Sequence, residues 1–164
     1  MFNKLMPDHY YKNIYDINID FLKDMGIKGV ICDIDNTIAE WSKREMKKEV
    51  QSWFEELSAE GFKVCLVTNS LGERAVYFGE KMDIPAVGRA VKPAKRSFLK
   101  AQQLLSLPRE EIVVVGDQLF TDVLGGNRLG FVTILVDPIS KNEFITSRFF
   151  RLLEKLFFTR MKDD

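Results

Sequence analysis

The chain reads as an α/β protein built on an open, mostly parallel sheet with helices on both faces. Three observations lead there. Short aliphatic runs without alternation, at 29–33, 63–67, 112–115 and 131–136, have the character of strands buried on both sides. Helical apolar spacing fills the intervals, giving about four or five strand–helix units of roughly 30 residues each. Polar and acidic residues collect just past the carboxyl ends of the runs, where sheets of this kind bind ligands.

Residues 1–28 mix tyrosine and isoleucine with charges and read as an N-terminal lead-in packed on the core. It is irregular at first, then a short helix around 19–25 closed by Gly26. The only histidine, His9, lies here, far in sequence from the polar clusters, and takes a structural or surface role. The first core strand, 29–33, ends in Asp33-Ile34-Asp35-Asn36-Thr37. Residues i and i+2 of a strand point the same way, so Asp33 and Asp35 should project together past its edge. Like charges that close need a cation between them or a shared proton.

A helix follows from about Glu45 to Glu60, with Val50, Trp53, Phe54 and Leu57 on its core side and Gly61 as its stop. The second strand, 63–67, runs into Thr68-Asn69-Ser70. Ser70-Leu71-Gly72-Glu73 fits a capping box opening a helix to about Met82. A strand end joined directly to a helix N-terminus is a natural phosphate site, with the Thr68 hydroxyl beside it. Ile84-Pro85-Ala86-Val87 is a candidate short strand. Pro93 suits the first position of a helix through about Leu105, which places Lys92 at another strand-to-helix junction, ahead of its rival Lys95. The strand 112–115 ends in Gly116-Asp117, with Asp122 five residues on, near the start of the next helix. Strand 131–136 closes the core, residues 29–139. Asp33, Asp35, Thr68, Lys92 and Asp117 therefore all converge on one edge of the sheet.

At 164 residues the chain is one domain by size, and 46% hydrophobic with 29% charged residues is ordinary globular composition. Lys+Arg and Asp+Glu both number 24, so nothing in the charge demands nucleic acid as a partner. Cys32 and Cys65 sit inside apolar strands as small core residues, without metal-type spacing. Scarce cysteine and an N-terminus unlike a signal segment point to the cytoplasm, and no apolar run reaches the ~18 residues that span a membrane.

Taken in order, Asp33-x-Asp35-x-Thr37, Val67-Thr68-Asn69, Lys92 and Gly116-Asp117-x4-Asp122 resemble the four motifs of the haloacid dehalogenase (HAD) phosphatases. Leu5-Met6-Pro7-Asp8, Ile14-Tyr15-Asp16-Ile17 and Gly26-Ile27-Lys28-Gly29 are similar to the YqeG-type branch of subclass III, itself related to mitochondrial phosphatidylglycerophosphate phosphatases. The resemblance implies a Rossmann-like, HAD-type fold and a Mg²⁺-dependent phosphomonoesterase. In it Asp33 is the nucleophile that forms an aspartyl phosphate, and Asp35 is the acid and then the base. Mg²⁺ is implied on an Asp33 oxygen, the Asp35 carbonyl and Asp117. Asp122 either holds a metal-bound water or orients Lys92, while Thr68, Asn69 and Lys92 neutralise phosphoryl oxygens. The short intervals after Thr37 and after Ser70 leave no room for a cap domain, so the site is expected to be open.

The segment 140–164 carries an amphipathic pattern over 144–161. Phe149, Phe150, Leu152, Leu153, Leu156, Phe157 and Met161 lie on one broad arc, with Arg148, Arg151 and Lys155 opposite. Such a helix suits a lipid interface, a partner groove, a second copy or the chain's own core. A lipid contact would favour a phospholipid phosphate such as phosphatidylglycerophosphate as substrate; a soluble sugar phosphate, nucleotide or phosphoprotein is the alternative. A signalling receiver domain also gathers Asp, Thr and Lys at strand ends, but there the lysine comes last, whereas Lys92 precedes Asp117. A scaffold with vestigial activity is the third reading.

Overall fold

The computed structural model describes residues 2–140 and Lys155. The amphipathic helix expected over 144–161 otherwise lies outside the described residues. Six strands form one sheet, all parallel: β1 (His9–Tyr11), β2 (Gly29–Cys32), β3 (Lys63–Val67), β4 (Ala86–Val87), β5 (Ile112–Gly116) and β6 (Val132–Val136), in the spatial order β1-β6-β5-β2-β3-β4. The helices are α1 (Ile19–Asp24), α2 (Lys48–Ala59), α3 (Gly72–Met82), α4 (Lys95–Leu105) and α5 (Leu124–Asn127).

The alternation of side chains along each strand divides the core into two layers. Val30, Cys32, Val64, Leu66, Val113 and Val115 pack with Leu22, Trp53, Leu57 and Phe78 on one face. Ile31, Cys65, Val67 and Val114 pack with Phe98, Ala101 and Leu105 on the other. Trp53 is core, as expected, and its indole N–H donates to the Ile17 carbonyl at 2.9 Å. His9 sets the edge of its ring against Phe21, the centroids 5.1 Å apart. Both cysteines are buried thiols; burial pushes the Cys65 thiol up to about 12 and Cys32 well above its ordinary value.

The structure departs from the sequence reading in four places. The lead-in is not irregular throughout, because His9–Tyr11 pairs with β6 as an edge strand. The helix expected from Glu45 begins at Lys48. Pro93 does not start α4: Val91–Ala94 forms a turn, with the Ala94 N–H on the Val91 carbonyl at 2.9 Å, and the Lys92–Pro93 bond within it is cis. The helix then starts at Lys95. The capping box at Ser70 is absent, since Leu71 holds the cap position and the Ser70 hydroxyl is engaged elsewhere.

Strand order reverses around β2, whose neighbours are β5 and β3. That reversal opens a crevice at the carboxyl ends of β2 and β5. Only loop joins β2 to α2, and β3 passes to α3 within a few residues, so no cap domain is inserted among the described residues.

Candidate active site

Each polar residue named from the sequence sits at the carboxyl edge of the sheet. Asp33 follows β2, its backbone N–H still donating to the Val115 carbonyl of β5 at 3.0 Å. Asp117 follows β5, Thr68 and Asn69 follow β3, and Lys92 lies in the loop after β4. Asp122 sits on a π-helical turn, Leu119–Val123, that folds it back over Gly116. A Cβ on Gly116 would meet the Asp122 carboxyl at 2.3 Å, so only glycine allows this approach.

Asp33, Asp117 and Asp122 are all buried, and one carboxylate oxygen from each lies within 4.8 Å of the others. Lys92, 7% exposed, donates to Asp33 Oδ1 and Asp122 Oδ1 at 2.6 Å each and to the Val67 carbonyl at 3.3 Å, which occupies its three N–H bonds. The Thr37 hydroxyl lies 3.0 Å from Asp33 Oδ2 and 3.2 Å from Asp117 Oδ1. Three carboxylates thus lie together with one ammonium, which pairs with two of them, leaving negative charge in excess.

The titration behaviour follows from burial first and from the neighbouring charges second. Burial pushes the Asp33 carboxyl up to about 7 against the pull of Lys92, with Asp122 and Asp35 adding repulsion. Burial alone would lower the Lys92 ammonium, but Asp122 and Asp33 outweigh it and hold it above its ordinary value. A hard divalent cation among these oxygens would relieve the repulsion, and the donor set is the one such ions favour.

Asp35 lies in the same cleft with different partners. Its Oδ2 accepts from the Thr68 hydroxyl at 2.5 Å and the Ser70 hydroxyl at 2.6 Å, and its Oδ1 from Arg74 Nε at 2.5 Å. Its carboxylate stands outside the three-acid group. Asn69 clamps the backbone at Lys92: its Oδ1 receives the Lys92 N–H at 2.7 Å, and its Nδ2 reaches the Lys92 carbonyl at 3.5 Å. The structure therefore sets Thr68 against Asp35 and Asn69 against the Lys92 main chain.

Sequence reasoning missed Arg74 and Ser70. Ser70 reads as a helix cap, and Arg74 belongs to no motif. Nothing in the local spacing links Arg74 to Asp35, 39 residues away. The cleft has a volume of about 630 Å³ and is walled on its outer side by Trp41, Ser42, Arg44 and Leu71. That is far more space than a phosphoryl group needs.

The sequence model of the family described as "Mitochondrial PGP phosphatase" matches residues 2–140. "Probable phosphatase YqeG" of Bacillus subtilis is 40% identical over 157 residues, 96% of this chain and 91% of that protein. "Phosphatidylglycerophosphate phosphatase 1, chloroplastic/mitochondrial" of Arabidopsis thaliana is 28% identical over 148 residues, 85% of this chain but 42% of the plant protein. Among solved structures, a HAD phosphatase from Thermococcus onnurineus superposes with a TM-score of 0.53 at 23% identity, over 62% of this chain and 51% of that one. That likeness bears on the fold.

Proposed function

This chain belongs to the mitochondrial PGP phosphatase family and is a HAD-type phosphatase; from that premise we propose that it hydrolyses a phospholipid phosphate monoester such as phosphatidylglycerophosphate through an aspartyl phosphate on Asp33. The observation that carries the mechanism is the buried cluster of Asp33, Asp117 and Asp122 at the sheet's reversal point, with Lys92 paired to Asp33 and Asp122. The lipid substrate rests on the relatives' names and on a cleft larger than a phosphate requires.

In the first half-reaction an Asp33 carboxylate oxygen bonds to phosphorus and the bond to the leaving oxygen breaks. Asp35 gives that oxygen its proton. In the second, Asp35 takes a proton from the water that attacks phosphorus, and the Asp33–phosphorus bond breaks to release phosphate. Lys92 neutralises phosphoryl oxygens while holding Asp33 and Asp122 in place. Thr68 acts by orienting Asp35, and Asn69 by fixing the main chain at Lys92. Mg²⁺, held by Asp33, Asp117, Asp122 and the Asp35 carbonyl, would supply charge neutralisation at the phosphoryl group and favour ionised Asp33.

No helix among the described residues is long and apolar enough to cross a membrane. We assign the protein to the cytoplasm, with peripheral contact to lipid through the 144–161 segment; the two buried free thiols suit a reducing compartment.

The test is release of phosphate from p-nitrophenyl phosphate and from phosphatidylglycerophosphate in mixed micelles, with Mg²⁺, by wild type and Asp33→Asn. Activity should fall at least about a thousandfold in the variant, because the nucleophile is gone. An Asp33→Asn protein as active as wild type would end the mechanism.

A further inference from the structure

Arg74 is the most heavily engaged cation in the cleft that the mechanism above leaves without a role. Each nitrogen of its guanidinium has a different acceptor: Nε donates to Asp35 Oδ1 at 2.5 Å, Nη2 to the Glu40 carbonyl at 2.8 Å, and Nη1 to the Lys43 carbonyl. Its planar group lies over the buried Phe78 ring, 5.0 Å from the centroid, and its side chain is 13% exposed. The two carbonyls flank Trp41 and Ser42, which wall the cleft next to Asp35.

We propose that Arg74 is a positioning residue that locks the Asp35 carboxylate to the Glu40–Lys43 loop, so that proton donor and leaving-group wall hold one fixed geometry. The inference rests on the phosphatase reading. A guanidinium suits the task because its fork fixes several directions at once, which a lysine ammonium on a flexible stem does not. With Oδ1 taken by Arg74, Asp35 Oδ2 meets only the Thr68 and Ser70 hydroxyls. Hydroxyls can donate or accept, so Oδ2 keeps its partners throughout the acid-then-base cycle proposed for Asp35. Losing Arg74 frees the Asp35 side chain and the wall together, and a displacement of about 1 Å at a reacting group costs on the order of a hundredfold.

The readout is leaving-group dependence. An alkoxide must be protonated as it departs, whereas p-nitrophenolate leaves without help, and kcat/KM reports this first transfer. We would measure kcat/KM for glycerol phosphate and p-nitrophenyl phosphate with the Mg²⁺-loaded full chain, in wild type, Arg74→Ala, Arg74→Lys, Asp35→Asn and the Arg74→Ala/Asp35→Asn double variant. The alkyl-to-aryl ratio should fall about tenfold or more in both Arg74 variants, a share of the ~10²–10⁴ that general acid catalysis supplies. The double variant should be no worse than Asp35→Asn alone, because the two residues act as a unit. Equal losses on both esters, or Arg74 and Asp35 penalties that multiply, would overturn the proposal. Arg74→Lys gives the same reading if Arg74→Ala fails to fold. A wild type inert toward both esters and toward phosphatidylglycerophosphate in mixed micelles would overturn the phosphatase reading itself, and the latch with it.

Discussion

Stripping the cation and raising the pH should weaken the fold by an amount set by Asp33. Its carboxyl moves from the ordinary value of 3.8 to about 7, because it is buried among other acids. Between those two values the folded state holds a proton that the unfolded chain has released. Stability is therefore fully present below about 4 and drains away as pH rises to about 7. At ~1.4 kcal/mol per pH unit the whole step is worth about 4 kcal/mol, of which about 3 kcal/mol falls between pH 5 and 8. Lys92, held above its ordinary 10.5, gives up its contribution only above that value, outside this window. Urea unfolding of chelator-treated protein at pH 5, 6, 7 and 8 measures the loss, with Asp33→Asn as reference, since asparagine keeps an oxygen for Lys92 without titrating. Wild type should lose about 3 kcal/mol relative to the variant from pH 5 to 8. Millimolar Mg²⁺ should restore most of that at pH 8, because a ligand bound to the folded state alone stabilises it by mass action. A wild-type-minus-variant difference that stays flat within about 0.5 kcal/mol over this range would refute the argument that burial and neighbouring acids raise the Asp33 carboxyl.

Two glycine substitutions separate site geometry from core packing. Gly116→Ala puts a Cβ 2.3 Å from the Asp122 carboxyl, so it should cut kcat roughly a hundredfold by displacing the acid that pairs with Lys92; steady-state kinetics at saturating Mg²⁺ would show it. Gly125→Ala puts its Cβ 2.3 Å from the ring of Phe98, which is 1% exposed. It should cost about 1–3 kcal/mol in urea unfolding and leave kcat within about twofold, because the clash is one of core overpacking behind the site.

The sheet was legible because its central strands are buried on both faces and so carry uninterrupted aliphatic runs, as Val113-Val114-Val115 does. The edge was not. β1 is three residues long, His9–Tyr11, held through β6 and through Asp8, whose carboxylate accepts the Thr133 N–H at 2.8 Å. Nothing in a tyrosine-rich triplet announces a pairing 125 residues away. The π-helical turn at Leu119–Val123 was equally unreadable, since the close approach of Asp122 to Gly116 that goes with it shows only in the folded chain.

The site was legible residue by residue but not in its connections, and the Asp33/Asp35 pair shows why that matters. Strand alternation would have the two carboxylates point together and repel. In the structure β2 stops at Cys32, and the chain turns through Asn36, whose φ is +59°. The rule that aligns i with i+2 therefore no longer governs Asp35. One carboxylate enters the set with Lys92, Asp117 and Asp122, and the other enters the set with Thr68, Ser70 and Arg74. This separation suits the two tasks proposed for them. A nucleophile needs a fixed position against excess negative charge that a cation can offset, and a proton carrier needs hydroxyl partners that accept either protonation state. The short motif supplies both acids, but Arg74, far along the chain, gives the second one a different environment from the first.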